Sequence, residues 1–250
     1  MRWREFADRF LLVRKCAGCR QILAYENCHD AFCPACRLRW SVAKTETCPT
    51  CHQSAMECTC QPKGLKKTGV LSLRKLYFYK AKDHREPQNQ ILYRLKHERN
   101  KRMSAFLAAE LSELIREELK TLGVEELTDQ AALVALPRGR AARLRYGVDQ
   151  SEEVARAISE VTEIPFLPVL SRRRRGREQK RLSRSKRFQN MKGSFALTDA
   201  DSIRGRCVIL LDDVVTTGAS MAACAPILKK AGASHVLCVC IAYTLQNPTK

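Results

Sequence analysis

Apolar residues fall along this chain in two rhythms that alternate from residue 103 onward. Met103, Phe106, Leu107, Leu111, Leu114, Ile115 and Leu119 recur at helical spacing, and Gly123 closes that segment. The continuous run Ala131 to Leu136 is short enough for a buried strand, with Pro137-Arg138-Gly139-Arg140 as the loop after it. Val154, Ile158 and Val161 mark a second helix from Ser151 to Thr162, and Phe166 to Leu170 reads as another short strand. Val208 to Leu211 forms a third apolar run. Thr216 to Ser220 open a helical segment that stops at Gly232, and Val236 to Tyr243 supply a final buried strand. Strand and helix in alternation predict an α/β domain with a parallel sheet flanked by helices.

Chemistry concentrates where the third run ends. The sequence Val-Ile-Leu-Leu-Asp-Asp-Val-Val-Thr-Thr-Gly-Ala-Ser, residues 208–220, places Asp212 and Asp213 at the end of a strand and small hydroxylated residues before a helix. Ligands of open α/β sheets gather at the carboxyl ends of strands, and anions favour helix N-termini. Paired carboxylates accept hydrogen bonds from vicinal hydroxyls or hold Mg²⁺ through water, so diol and phosphate together describe a ribose 5-phosphate site. Two other readings compete. An Asp beside a polar turn can serve as a helix cap. A Walker B strand also ends in Asp, but its P-loop partner fails here: Gly64 to Gly69 has the glycine spacing yet continues Val70-Leu71 instead of Lys-Ser/Thr.

The cysteines change the picture at the other end. Nine of the 13 lie between residues 16 and 60, in paired spacings. Cys16-x₂-Cys19 with Cys33-x₂-Cys36 makes one double pair, and Cys48-x₂-Cys51 with Cys58-x-Cys60 a second. Two such pairs complete the tetrahedron zinc prefers, and four thiolates leave no open position, so two structural zinc ions are expected. Sequential ligation is preferred over a cross-braced linking of the first and third pairs. The one-residue spacing of Cys58 and Cys60 is the weaker half, and Cys28, His29 or His52 are substitute ligands. Cys207, Cys224, Cys238 and Cys240 sit in apolar segments and read as core.

Charge is the last global feature. The formal net charge is +19, and eight thiolates with two Zn²⁺ lower it to about +15. Residues 63–102 hold 13 basic and three acidic side chains, and residues 171–192 hold 11 basic and one acidic. Such tracts suit a polyanion, pyrophosphate or plain solvation. Aromatic rings in them are few (Tyr77, Phe78, Tyr79 and Phe188), so any nucleic-acid contact should be backbone-driven. The first residues are too charged for a signal peptide and no apolar run spans a membrane, so the expectation is a cytoplasmic protein without membrane insertion.

Residues 208–220 resemble the signature of the type I phosphoribosyltransferases, which bind 5-phosphoribosyl 1-pyrophosphate (PRPP). From residue 16 to 245 the chain resembles the ComF/GntX family: a cysteine zinc module, a basic linker and a transferase domain. Arg143 to Gln150 parallels that family's Arg-Gly-Phe-Asn-Gln segment, with Tyr146, Val148 and Asp149 departing from it. Gln179, Leu182, Arg187, Asn190 and Phe195 fall at the spacing of another family block. The resemblance implies a type I phosphoribosyltransferase fold and Mg²⁺ arriving with PRPP. Asp212 and Asp213 would contact the ribose hydroxyls, and Thr216, Thr217, Gly218, Ala219 and Ser220 the 5′-phosphate. Arg138 and Gly139 match the pyrophosphate loop in place and type, and Arg187 would close over the pyrophosphate as a lid. It further implies a role in natural transformation, with single-stranded DNA and other DNA-uptake proteins as partners and Arg172, Arg173, Arg174 and Arg175 on the DNA. The competing expectation is an active Mg-dependent phosphoribosyltransferase on an unidentified small-molecule acceptor, with no DNA role. The domain plan expected is a zinc module over 1–62, a basic linker and start of the transferase domain over 63–102, and the transferase-like domain over 103–250.

Overall fold

The computed structural model describes residues 14–80, 85–97, 100–124, 126–139, 149–173 and 193–245. The strands are β1 (Leu73–Phe78), β2 (Ala131–Ala135), β3 (Leu170–Arg172), β4 (Phe195–Leu197), β5 (Cys207–Val215) and β6 (His235–Tyr243). The longer helices are α1 (Pro34–Lys44), α2 (Pro87–His97), α3 (Lys101–Thr121), α4 (Gln150–Thr162) and α5 (Ala219–Lys230). Four strands form a parallel sheet in the order β1-β6-β5-β2, while β3 and β4 pair antiparallel beside it. This is the α/β parallel sheet flanked by helices that the apolar rhythm predicts.

The central strands are apolar on both faces because both faces are covered. Alternate side chains sort cleanly. Ile209, Leu211, Leu237, Val239 and Ile241 share one hydrophobic cluster with Leu107, Leu111 and Ile115 of α3 and Ile158 of α4. Val208, Leu210, Val236, Cys238 and Cys240 share the other with Met221, Ala225 and Leu228 of α5. Cys207, Cys224, Cys238 and Cys240 are core residues, as expected.

Four local readings change. The expected strand from Phe166 to Leu170 does not form as such: Phe166 makes a single parallel bridge to Leu133, residues 167–169 lie outside any strand, and Leu170 already begins β3. Pro165 and Pro168 flank that bridge without an N–H to extend the ladder. β5 runs on to Val215, so Asp212 and Asp213 lie inside it. α5 begins only at Ala219, leaving Thr216 and Thr217 in a turn. The sequence reading assigned no strand to residues 73–78, yet β1 is the edge of the sheet, with Tyr77 and Phe78 buried in the core. Those two rings are therefore unavailable for stacking on a nucleic acid.

The N-terminal cysteines fold as two matching turns. Cys16 N–H donates to Gln21 O and Arg20 N–H to Cys16 O. Likewise Cys48 N–H donates to Gln53 O and His52 N–H to Cys48 O. Arg20 and His52, each following the second cysteine of its pair, share a positive φ. The first turn packs into the α3 face of the core through Cys16, Cys36 and Trp40, the second into the α5 face through Cys48, Cys58 and Leu65. No helix among the described residues is long and apolar enough to cross a membrane.

Candidate functional site

A cavity of about 990 Å³ opens at the carboxyl end of β5, lined by Asp212, Asp213, Thr216 and Ser220, by Arg138 and Gly139, and by Arg172. β2 stops pairing at Leu211, while β6 continues beside Asp212 to Val215. The acid pair therefore stands where the ladder is one-sided, and both carboxyls reach the cavity although neighbours in a strand normally face apart.

Each acid is already oriented. Asp212 accepts from the Asp213 N–H at 2.9 Å and from Ser151 Oγ, at the start of α4, at 3.5 Å. Asp213 accepts from the Val214 N–H at 2.8 Å and pairs with the Arg138 guanidinium. Arg138 is held in turn by its own N–H on Asp149 Oδ2 at 2.8 Å. Burial pushes the Asp212 carboxyl well above the usual carboxylate range, and the Asp213 carboxylate beside it pushes the same way, with Arg138 opposing.

That shift has a stability consequence. The folded chain keeps a proton on Asp212 at pH values where the unfolded chain has lost it. Stability therefore falls as pH rises from the ordinary carboxylate range through the raised value. Replacing Asp212 with Asn should raise the unfolding midpoint of the ligand-free protein at neutral pH and flatten its decline across that window. A scan showing an unchanged or lowered midpoint would count against a strained carboxyl.

Beyond the acids, Gly218 takes the left-handed conformation at φ 69° and caps α5. A side chain there would be strained, and its Cβ would stand 3.1 Å from Pro62 Cγ. Thr217 Oγ1 accepts from the Ala219 N–H at 3.4 Å, which tightens the turn against the first amides of α5. Those amides lack intrahelical partners and carry the positive end of the helix dipole. Across the cavity, Arg172 lies 5.6 Å over the Phe195 ring, and its guanidinium passes beside Gly139.

The structure thus gathers Asp212, Asp213, Thr216, Ser220, Arg138, Gly139 and Arg172 around one space. Arg172 belongs to this cavity as well as to the basic tract. Arg174, Arg175 and Arg187 lie outside the described residues, as do residues 143–148 and the block from Gln179 to Asn190. No segment of the sequence by itself marks a wall for a second ligand. Tyr79, Asn89, Gln90 and Tyr93 provide one, from the end of β1 and from α2. The signal available for them was weak, because both elements lie inside a tract that reads as basic linker.

The cysteines form two groups, Cys16, Cys19, Cys33 and Cys36, and Cys48, Cys51, Cys58 and Cys60. Within each, the sulfurs lie within 4.8 Å of one another, so each could hold a metal ion. Cys28, His29 and His52 fall outside both groups. The donor set fits a thiophilic cation. Burial pushes the Cys16 thiol up, but the Cys33, Cys19 and Gly18 amides outweigh it and hold the group at about 7. The same balance, with the Cys51 and Thr50 amides, holds Cys48 at about 7. Burial and the neighbouring Cys51 push Cys60 up to about 12. Amides stabilise the Cys16 and Cys48 thiolates, and a divalent cation would favour ionisation of thiols that burial pushes up, such as Cys60.

The sequence model of the phosphoribosyl transferase domain family matches residues 144–250. The DNA utilization protein YhgH of Escherichia coli is 26% identical over 238 residues, covering 92% of this chain and 97% of that protein. Competence protein F of Haemophilus influenzae is 27% identical over 153 residues, covering 60% of this chain and 66% of that protein. Among solved structures, the glutamine PRPP amidotransferase of B. subtilis is 19% identical with a TM-score of 0.34, covering 62% of this chain and 27% of that one.

Proposed function

We propose that this chain, a ComF-type protein carrying a phosphoribosyl transferase domain, binds PRPP with Mg²⁺ and assists natural transformation by handling incoming single-stranded DNA. The observation that carries the first half is the meeting of acid pair, hydroxyl turn and arginines in one cavity. In this reading Asp212 and Asp213 accept from the ribose hydroxyls, and Thr216 to Ser220 receive the 5′-phosphate on the helix amides. Arg138 and Arg172 neutralise the pyrophosphate, with Gly139 leaving its backbone open to it. Mg²⁺ would neutralise charge on the pyrophosphate and meet the acid pair through water, as hard oxygen donors suit it. If an acceptor displaces pyrophosphate at the ribose C1, the protein's part is positioning and charge neutralisation. The cysteine groups hold two structural zinc ions.

The wall of Tyr79, Asn89, Gln90 and Tyr93 supports the second reading, a transferase acting on a small acceptor with no DNA role. Tyr93 is well exposed and stacks on His97, with ring centroids 4.4 Å apart. Support for the DNA half comes from the names of the relatives and from the basic tract that follows Arg172 in the sequence.

A thermal-shift titration tests the site. Mg²⁺ with PRPP at about a hundredfold over its dissociation constant should stabilise the native protein by about 2.7 kcal/mol. The Asp212→Ala, Asp213→Ala double variant should show no shift. In the DNA arm, replacing Arg173, Arg174 and Arg175 with Ser should weaken single-stranded DNA binding and its salt dependence while the PRPP shift persists. No shift in a folded native protein would overturn PRPP binding, and equal DNA binding by the variant would overturn the DNA surface.

A further inference from the structure

The two cysteine groups sit on opposite faces of the sheet, and each reaches the cavity through one short mechanical path. From the second group, Cys60 leads through Gln61 to the buried Pro62 and Leu65. These press on the phosphate turn, since a Cβ on Gly218 would meet Pro62 Cγ at 3.1 Å and Leu65 Cβ at 3.4 Å. The path is anchored from below: Lys75, fully buried on β1, donates from Nζ to Cys60 O at 2.9 Å. Gln61 Nε2 donates to Val70 O at 3.2 Å, closing the segment into a loop.

From the first group the path runs to α2. A Cβ on Gly18 would stand 2.7 Å from Cys36 Sγ and 3.0 Å from Pro87 Cβ, so the first knuckle is seated directly on the start of that helix. Arg94, 7% exposed, donates from Nη1 to Cys16 O at 3.0 Å and from Nη2 to Gly18 O at 3.5 Å. On the same helix, Asn89 and Gln90 about one turn earlier and the adjoining Tyr93 line the cavity.

We infer that the two cysteine groups are separate braces for opposite walls of the cavity. Metal at Cys48, Cys51, Cys58 and Cys60 fixes the phosphate turn through Pro62. Metal at Cys16, Cys19, Cys33 and Cys36 fixes the far wall through Arg94. Pro62 and Arg94 are positioning residues that touch no ligand themselves. The inference rests on the reading of the cysteine groups as metal sites, and its test is kept apart from PRPP binding.

Hydrogen exchange by mass spectrometry on the full-length, metal-loaded chain reads each wall without any ligand. Pro62→Gly should speed exchange in the peptide covering residues 214–222 by about tenfold and leave residues 87–97 unchanged, with metal content intact. Arg94→Gln should do the reverse. Selective loss of the second metal in Cys58→Ser, Cys60→Ser should reproduce the Pro62→Gly pattern. Exchange that rises equally at both walls, or at neither, overturns the brace, as does a native chain that holds no metal. Protection of the 214–222 peptide by added Mg²⁺ and PRPP is scored separately, and its failure overturns the PRPP reading alone.

Discussion

Stripping the proposed zinc ions from the native protein is expected to unfold the region from Cys16 to Cys60 and to lower the melting temperature of the whole chain. This is the largest single effect anticipated. Structural zinc in small modules carries apparent binding free energies of about 10–16 kcal/mol, comparable with the ~5–15 kcal/mol that holds an entire domain. The cysteine region has little other regular structure to replace it: apart from α1 and the short 3₁₀ helix Tyr25–Asn27, its backbone is turns and isolated bridges. The loss should spread because Cys16, Cys33 and Cys36 share a hydrophobic cluster with α3 and the sheet. Titration with a chromogenic chelator should release two equivalents of zinc as far-UV signal and melting temperature fall together, and acid should promote release by protonating the thiolates. A protein that melts at the same temperature after complete metal removal would refute the assignment.

Trp40→Ala is expected to cost about 3–5 kcal/mol, the usual range for deleting a buried aromatic. Trp40 on α1 is 1% exposed and meets three rings from three parts of the chain. Phe32 of the cysteine region lies at 5.6 Å, Tyr77 of β1 at 5.5 Å and Phe106 of α3 at 5.2 Å. Its Nε1 donates to Glu110 Oε2 at 3.1 Å, an oxygen that also takes Lys44 Nζ. Because this cluster joins the cysteine region to the sheet, urea unfolding followed by circular dichroism should shift as one transition. A loss below about 1 kcal/mol, or a separate early transition, would mean the two regions are packed together without being coupled.

How much of this was legible in the sequence depends on which force set each element. β2, β5, β6 and the helices α3, α4 and α5 are governed by local apolar periodicity, so their positions could be read within a few residues. The acid pair and Thr-Thr-Gly turn were equally plain, because their chemistry is contiguous. β1 was hidden for a physical reason: its strand carries Arg74 and Lys75, whose charges are answered largely by partners distant in sequence. Arg74 pairs with Glu117 and Glu118 of α3, and Lys75 is buried on carbonyls of Cys60 and Leu73. Arg94 and Arg102 are likewise committed to carbonyls of the cysteine region. A basic tract that counts as a polyanion surface by composition is in part internal scaffolding. The same tertiary pairing concealed the cavity's far wall, since nothing in residues 79–93 announces that α2 turns toward Asp212.

The pairing of Arg138 with Asp213 makes ligand entry an exchange reaction instead of a simple addition. Both side chains are largely shielded from water, so a newcomer that parts them must supply each with a replacement interaction for the one it breaks. In the proposed reading PRPP would do so at both ends, offering hydroxyls to the carboxylate and pyrophosphate to the guanidinium. Ribose 5-phosphate satisfies only the first. Discrimination between the two sugars would then be set before any ligand arrives, by a bond that only the pyrophosphorylated one can profitably break.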